Sequence, residues 1–182
     1  KTKITIGNGA HLNIVGEPLF AGSLTLNAFN TILARDKVNL DAGGAIVWAR
    51  AESIIEAVEN EAWIDIGSGA VLSSVGDIFI SVLTKADTDA RTDIKTYGGA
   101  SGADGQSIAR ADVKNQITVN PNARLYSEGT LNLLVGIDKF DDESNLRAVA
   151  TTNIDNNGIA PIYSDPDVNG ILNVYNYIDI KA

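Results

Sequence analysis

The chain has 182 residues, 45% of them hydrophobic, with a net charge of −9, no cysteine, no methionine and one histidine. The acidic balance (pI about 4.5) argues against charge-driven binding to nucleic acid or to an anionic membrane, and no run approaches the roughly 20 apolar residues of a spanning helix. Disulfides, thiolate catalysis and cysteine-held zinc are excluded, and one histidine cannot build a catalytic triad or a three-histidine metal site. The start reads as processed or excised, so any targeting segment is expected outside the chain.

In chain order, alternating β-branched and polar residues come first. ITIGNGAHLNIVG runs from Ile4 to Gly16, and after an insertion, EPLFAG, a second alternating run starts at Ser23 as SLTLNA. A polar segment (ARDKVNL) and a Gly-Gly turn (AGGAIVWA) follow. Ala51 to Trp63 has apolar residues at Ala51, Ile54, Ile55, Val58 and Ala62. That spacing, read locally, is helical, but its counterparts later in the chain read as strand or loop, and the repeat outweighs the local propensity.

The first pattern then returns as IDIGSGAVLSSVGDIFI (Ile64 to Ile80), again as ITVNPNARLYSEGTLNL (Ile117 to Leu133), and as a truncated YIDI from Tyr177. Ala10, Ala70 and Ala123 become equivalent, as do Leu12, Leu72 and Leu125, and Gly16, Gly76 and Gly129. The glycines lie 60 and 53 residues apart. Each long repeat divides into about three passes of roughly 20 residues, none of which can bury an apolar face alone. Stacked on like neighbours they form parallel sheets round a continuous core. The expected fold is all-β: a right-handed parallel β-helix (β-solenoid) of about nine coils in three long repeats. It forms a single domain over residues 1–182, with long repeats at about 1–60, 61–114 and 115–175 and a fourth beginning at 176–182. Because the chain starts and ends in one repeat phase, stacking of solenoid ends into a polymer is expected.

The motif carried by Ile64, Ile66, Gly67, Gly69, Ala70, Leu72, Gly76, Asp77, Ile78 and Ile80, with its copies, resembles the repeats of very large bacterial exoproteins. These are the filamentous-haemagglutinin-like and related β-strand-repeat adhesins. The resemblance implies a secreted or surface-bound β-helical rod acting in adhesion or as a fibre, with host or surface glycans as possible partners. It carries over no binding residue.

Candidate sites are few. Asp165, Asp167 and Asn169, followed by Gly170, fit the first half of a calcium loop. The twelfth position is Asn176 rather than a bidentate Glu, and turns between strands also favour such residues. Asn153, Asp155 and Asn157 repeat the rhythm. Calcium is the one cofactor these residues point to. Two acidic groups, Asp87/Asp89/Asp93 with Arg91, and Asp138/Asp141/Asp142/Glu143, read as solvated loops at equivalent places. As paired carboxylates they open the alternative of a calcium-assisted β-helical polysaccharide-active enzyme, although no catalytic residue stands out and a non-enzymatic role is expected. His11, beside an inward Leu12, is expected to point outward. Trp48, Trp63, Tyr97, Tyr126, Tyr163, Tyr175 and Tyr177 form no obvious sugar-stacking row; core or ladder stacking is the plainer reading. Gly98-Gly99-Ala100-Ser101-Gly102 lacks the Lys-Ser/Thr ending of a phosphate loop and reads as a turn.

Overall fold

A computed structural model describes residues 1–16, 21–140 and 142–181. Among them there are eight strands and no helix: β1 (Thr2–Ile6), β2 (His11–Ile14), β3 (Leu24–Ile66), β4 (Val71–Ser74), β5 (Ile78–Val119), β6 (Arg124–Ser127), β7 (Leu131–Val135) and β8 (Leu146–Ile180). All strand pairs are parallel. One sheet orders β1-β3-β5-β7, with β8 also pairing β5, and a second orders β2-β4-β6. The all-β, solenoid-like stacking of parallel strands agrees with expectation. The repeat phase is also the ladder register, since Ile4 pairs with Ile64, Ile64 with Ile117 and Ile117 with Ile178.

The stacking period differs from the expected 20-residue coil. Ladder partners are one long repeat apart: Leu24 with Ile78, Trp63 with Gln116, Ala86 with Leu146. Among the described residues no strand of a long repeat pairs with another strand of the same repeat; the one contact of that kind is an isolated antiparallel bridge outside the strands, Ile137 to Glu143. One long repeat therefore makes one winding, not three. The polar segment ARDKVNL and the stretch holding Asp87 to Asp93, read as a solvated loop, continue the alternation as strand. Their inward positions are mostly small or short residues, such as Ala34, Asp36, Ala86, Thr88, Ala90 and Thr92, with only Leu40 and Ile94 as long aliphatics, which blurs them in a hydrophobicity pattern.

Each winding has a base and an arm. At the base, Ile64, Ile66, Leu72, Ile78, Ile80 and Ile117 form the main core with Ala70 and Val119. A tight turn enters it three times. Ala10, Ala70 and Ala123 each donate their amide to the carbonyl three residues back, on Gly7, Gly67 and Asn120. The third turn position is Gly9, Gly69 or Asn122, with φ of 66°, 67° and 61°. Positive φ at that place alone is the type II pattern. It selects Gly or Asn there and accepts Pro121 just before. Ala70 is fully buried behind the turn, as a small corner residue should be.

The next corner corrects one equivalence. Gly76 donates its amide to Gly22, not Gly16, so the corner glycine is the last residue of the EPLFAG stretch and the extra residues come before it. A Cβ on Gly76 would lie 2.6 Å from the Gly22 oxygen, and one on Gly129 3.1 Å from the Gly76 carbonyl carbon. Close backbone approach explains these glycines. Glu17 to Phe20 of the insertion lie outside the described residues.

The arm runs out from the base and folds back on itself. Thr84 donates to Asn115 across the interior (2.7 Å), and Ser107 donates to Thr92 (3.0 Å). Nearer the tip, Thr96 and Ser101 both bond to Asn156 of the next winding. These contacts converge on a reversal at residues 98–101, the glycine segment that reads as a turn in the sequence. The interior between the two halves is lined by Ala86, Ala90, Ala103, Ala109, Ala111 and Ile94 and by buried Thr84, Thr88, Thr92, Thr96 and Ser107. Large residues face small ones: a Cβ on Gly105 would sit 3.1 Å from Ile94 Cδ1. These buried hydroxyls bond to one another, to the Asn115 and Asn156 side chains and to backbone carbonyls, Thr92 to Gln106 O at 2.8 Å for example, so their burial is satisfied.

Ala51–Trp63 is strand within β3. Ala51, Ser53 and Ile55 are buried while Glu52, Ile54 and Glu56 are exposed, a period of two. The ladder to Gly105–Ala111 supplies the hydrogen bonds a helix would have made internally, so tertiary pairing overrides helix propensity. The segment keeps one irregularity, a register shift between Ala57 and Asn60 with Glu59 at φ 57°. The Asn60 side chain donates there to Ala57 O and Asp112 O.

Candidate functional site

Inward side chains on the middle levels of each base ladder are closed off from water, and those on the outermost levels are not. Ile64 and Ile117 are fully buried, whereas Ile178 and Ile180, at the corresponding places one winding on, are 42% and 67% exposed. Leu72 is fully buried between Leu12 and Leu125, which are only partly so. Beyond Ile180 and above Leu24–Ala57 the ladder has no further strand among the described residues. Each end of the stack thus presents a long strand edge beside half-exposed apolar side chains. Two prolines, Pro161 and Pro166, interrupt the β8 edge near the arm tip, where no amide can be donated. At the other end the inward-facing Asp36 carboxylate accepts a bond from Ser53 (2.8 Å).

The outward faces of the arm carry a charge lattice rather than acidic loops. Asp87, Asp89, Arg91 and Asp93 lie at alternate positions of β5, not in a loop. Asp87 is gripped by Arg147 (2.8 Å) and Arg35 (3.2 Å) from the windings on either side. Those two bonds hold its carboxyl below the usual range. Arg91, bonded to both Asp89 oxygens at 2.8 Å, lowers Asp89 likewise. Bonds from Asn153 and Lys37 lower Asp93, and Arg110 with Asn173 lowers Asp112. The second acidic group is not equivalent to the first. Val82 pairs with Val135 and Ala86 with Leu146, so Asp138, Asp142 and Glu143 lie on an inserted loop. Asp142 there meets Lys85, and Asp138 accepts the Phe140 and Asp142 amides. Asp141 lies outside the described residues.

A pH dependence follows. The lattice carboxyls have lowered native pKa values, so the unfolded chain takes up protons at higher pH than the folded one. Their stabilisation is complete above the unfolded Asp value of about 3.9 and is lost as pH falls through the lower native values. Thermal midpoints should be flat from about pH 7 to 5 and fall below about pH 4. Asp87→Asn should make that acid fall shallower, and an unchanged acid limb would remove Asp87 from the cause.

Asp165, Asp167 and Asn169 lie on an extended strand, not on a calcium loop. Their side chains are at alternate positions, so the first and third are about 13–14 Å apart along the strand, and the three cannot close round one ion as a loop would. Asp165 accepts the Tyr163 hydroxyl (2.7 Å) and Asp167 accepts from Gln106 (2.9 Å). Asn153, Asp155 and Asn157 are also strand residues; Asn153 donates to Asp93 and Asn157 to Asp155. No group of three or more His, Asp or Glu among the described residues could hold a metal. His11 is exposed, in register with Val71.

The aromatics separate by role. Trp63 donates to Thr118 and lies under Lys3. Tyr177 donates to Gln116, with Lys114 over its ring. Tyr163 stacks not on Tyr175 or Tyr177 but on Trp48, with centroids 6.1 Å apart and rings 4° from parallel. These two residues are far apart in sequence. Only the register, which places both beside Gly102, shows the pairing.

Compared with protein-family models, with curated proteins and with solved structures, the chain matches none.

Proposed function

We propose that this chain is a structural module of an extracellular, right-handed β-solenoid rod, in which further windings stack on its two ends. The observation that supports it is the contrast between the buried Ile64, Leu72 and Ile117 and the half-exposed Ile178 and Ile180 of the same ladders. Covering Ile178 and Ile180 would remove their apolar surface from water at roughly 25 cal/mol per Å². It would also pair strand edges that otherwise template aggregation. An arm strand of about 20 residues spans some 65 Å, yet the stack is only three windings deep there. Such a thin blade gains rigidity from neighbours above and below. The prolines of β8 direct the added pairing to the base and the near half of the arm.

The neighbouring windings belong either to a second copy, giving a filament, or to the same polypeptide, giving the stalk of a surface adhesin. The resemblance to secreted β-strand-repeat adhesins supports an extracellular or cell-surface place for both. Electron microscopy and sedimentation of the purified chain across concentration test the filament. Fibres whose length grows with concentration are expected. Monodisperse monomer at high concentration overturns the filament, and the stalk then stands.

A further inference from the structure

We propose that Trp48 and Tyr163 form a binding platform for a neutral polysaccharide on the outer face of the arm. The platform does not depend on the rod, because it lies on a sheet face rather than at a stacking end. Trp48, Gly102 and Tyr163 are ladder neighbours on three successive windings. Trp48 and Tyr163 are 58% and 51% exposed, and theirs is the one stacked ring pair among the described residues. Gly102 makes the arrangement possible: a Cβ there would lie 2.6 Å from Trp48 Cζ3 and 3.2 Å from the Tyr163 carbonyl oxygen. The indole extends over the bare backbone of the middle strand and meets the phenol of the third.

The adjoining outward row supplies the polar half of the site. Arg50, Asp104 and Asp165 are again ladder neighbours, two residues along from the rings. Arg50 Nε is 3.6 Å from Asp104, and Asp165 accepts the Tyr163 hydroxyl at 2.7 Å. A pyranose presents a C–H face suited to aromatic rings and equatorial hydroxyls suited to carboxylates and a guanidinium at its rim. A few oriented polar groups beside an apolar surface fix ligand orientation, and exposed aromatics in register supply contact area at small entropic cost. The net charge of −9 and the two carboxylates of the rim disfavour an anionic glycan. They point to a neutral one.

The test is titration of the intact chain with cellohexaose, xylohexaose and a galacturonic acid hexamer, read by tryptophan fluorescence and saturation-transfer NMR. Saturable binding of a neutral hexamer is expected, with at least tenfold weakening in Trp48→Ala and in Tyr163→Ala. Tyr163→Phe, which keeps the stack and loses the bond to Asp165, should weaken binding less than Tyr163→Ala. Both rings are about half exposed, so the alanine variants should melt like wild type by circular dichroism. Any one of four results overturns the proposal: no binding of either neutral hexamer, binding unchanged in Trp48→Ala, preference for the anionic hexamer, or loss of self-association rather than of sugar binding in Trp48→Ala.

Discussion

Leu72→Asp is expected to abolish cooperative folding, whereas Leu125→Asp should leave a folded but weakened protein. Leu72 is fully buried, paired with Leu12 above and Leu125 below. It packs in the same core as Ile64, Ile66, Ile78 and Ile80. Truncation of such a leucine to alanine costs about 3–5 kcal/mol. A carboxylate at that place adds desolvation of a charge with no cation in the core cluster, a further several kcal/mol. The sum is comparable with the whole stability of a domain this size, about 5–15 kcal/mol. Leu125 is in an outer winding and remains partly open to water, so an aspartate there can stay hydrated. Urea melts followed by circular dichroism distinguish the two. Wild-type-like melting of Leu72→Asp would show that the leucine ladder does not face the core.

The base of each winding is legible in the sequence because its inward residues are large. Ile64, Ile66, Leu72, Ile78 and Ile80 alternate with polar residues and stand out at once. The arm is hidden for the opposite reason. Its inward rows read Thr84, Ala86, Thr88, Ala90, Thr92 on one half and Ala103, Gly105, Ser107, Ala109, Ala111 on the other. Such residues resemble a polar loop, and small side chains let the two halves approach until the hydroxyls bond across. The long polar segments therefore read as connections, which is how one winding of about 53–61 residues divides on paper into three coils. The aspartates of Asp87 to Asp93 mislead in the same way, since outward charges on a paired strand look like a loop. The Trp48–Tyr163 pair could not be found from spacing alone. It needs a ladder offset of 54 residues to Gly102 and then 61 more to Tyr163, and those offsets are set by insertions elsewhere in each winding.

The arm's reversal sets up the second large effect, at Gly98. A Cβ there would lie 1.9 Å from the carbonyl oxygen of Gly44, its ladder neighbour. The obstacle is backbone, held in register by the strands on both sides of the turn, and cannot swing away. Gly98→Ala should therefore push the tips of two windings apart and cost about 3 kcal/mol, at the upper end of the range for overpacking. Two glycines serve as controls. At Gly43 the obstacle is the Tyr97 ring, 2.0 Å from a Cβ, but that ring is half exposed and can turn outward at the loss of its bond to Asp41, so Gly43→Ala should cost no more than about 1 kcal/mol. At Gly9 nothing lies within 4 Å, but φ is +66°, and alanine should cost about 1–2 kcal/mol from conformation alone. The expected order of loss is Gly98 first, then Gly9, then Gly43. If Gly98→Ala melts within about 0.5 kcal/mol of wild type, the two reversals do not lie against each other. The arm would then have to fold back elsewhere than at residues 98–101.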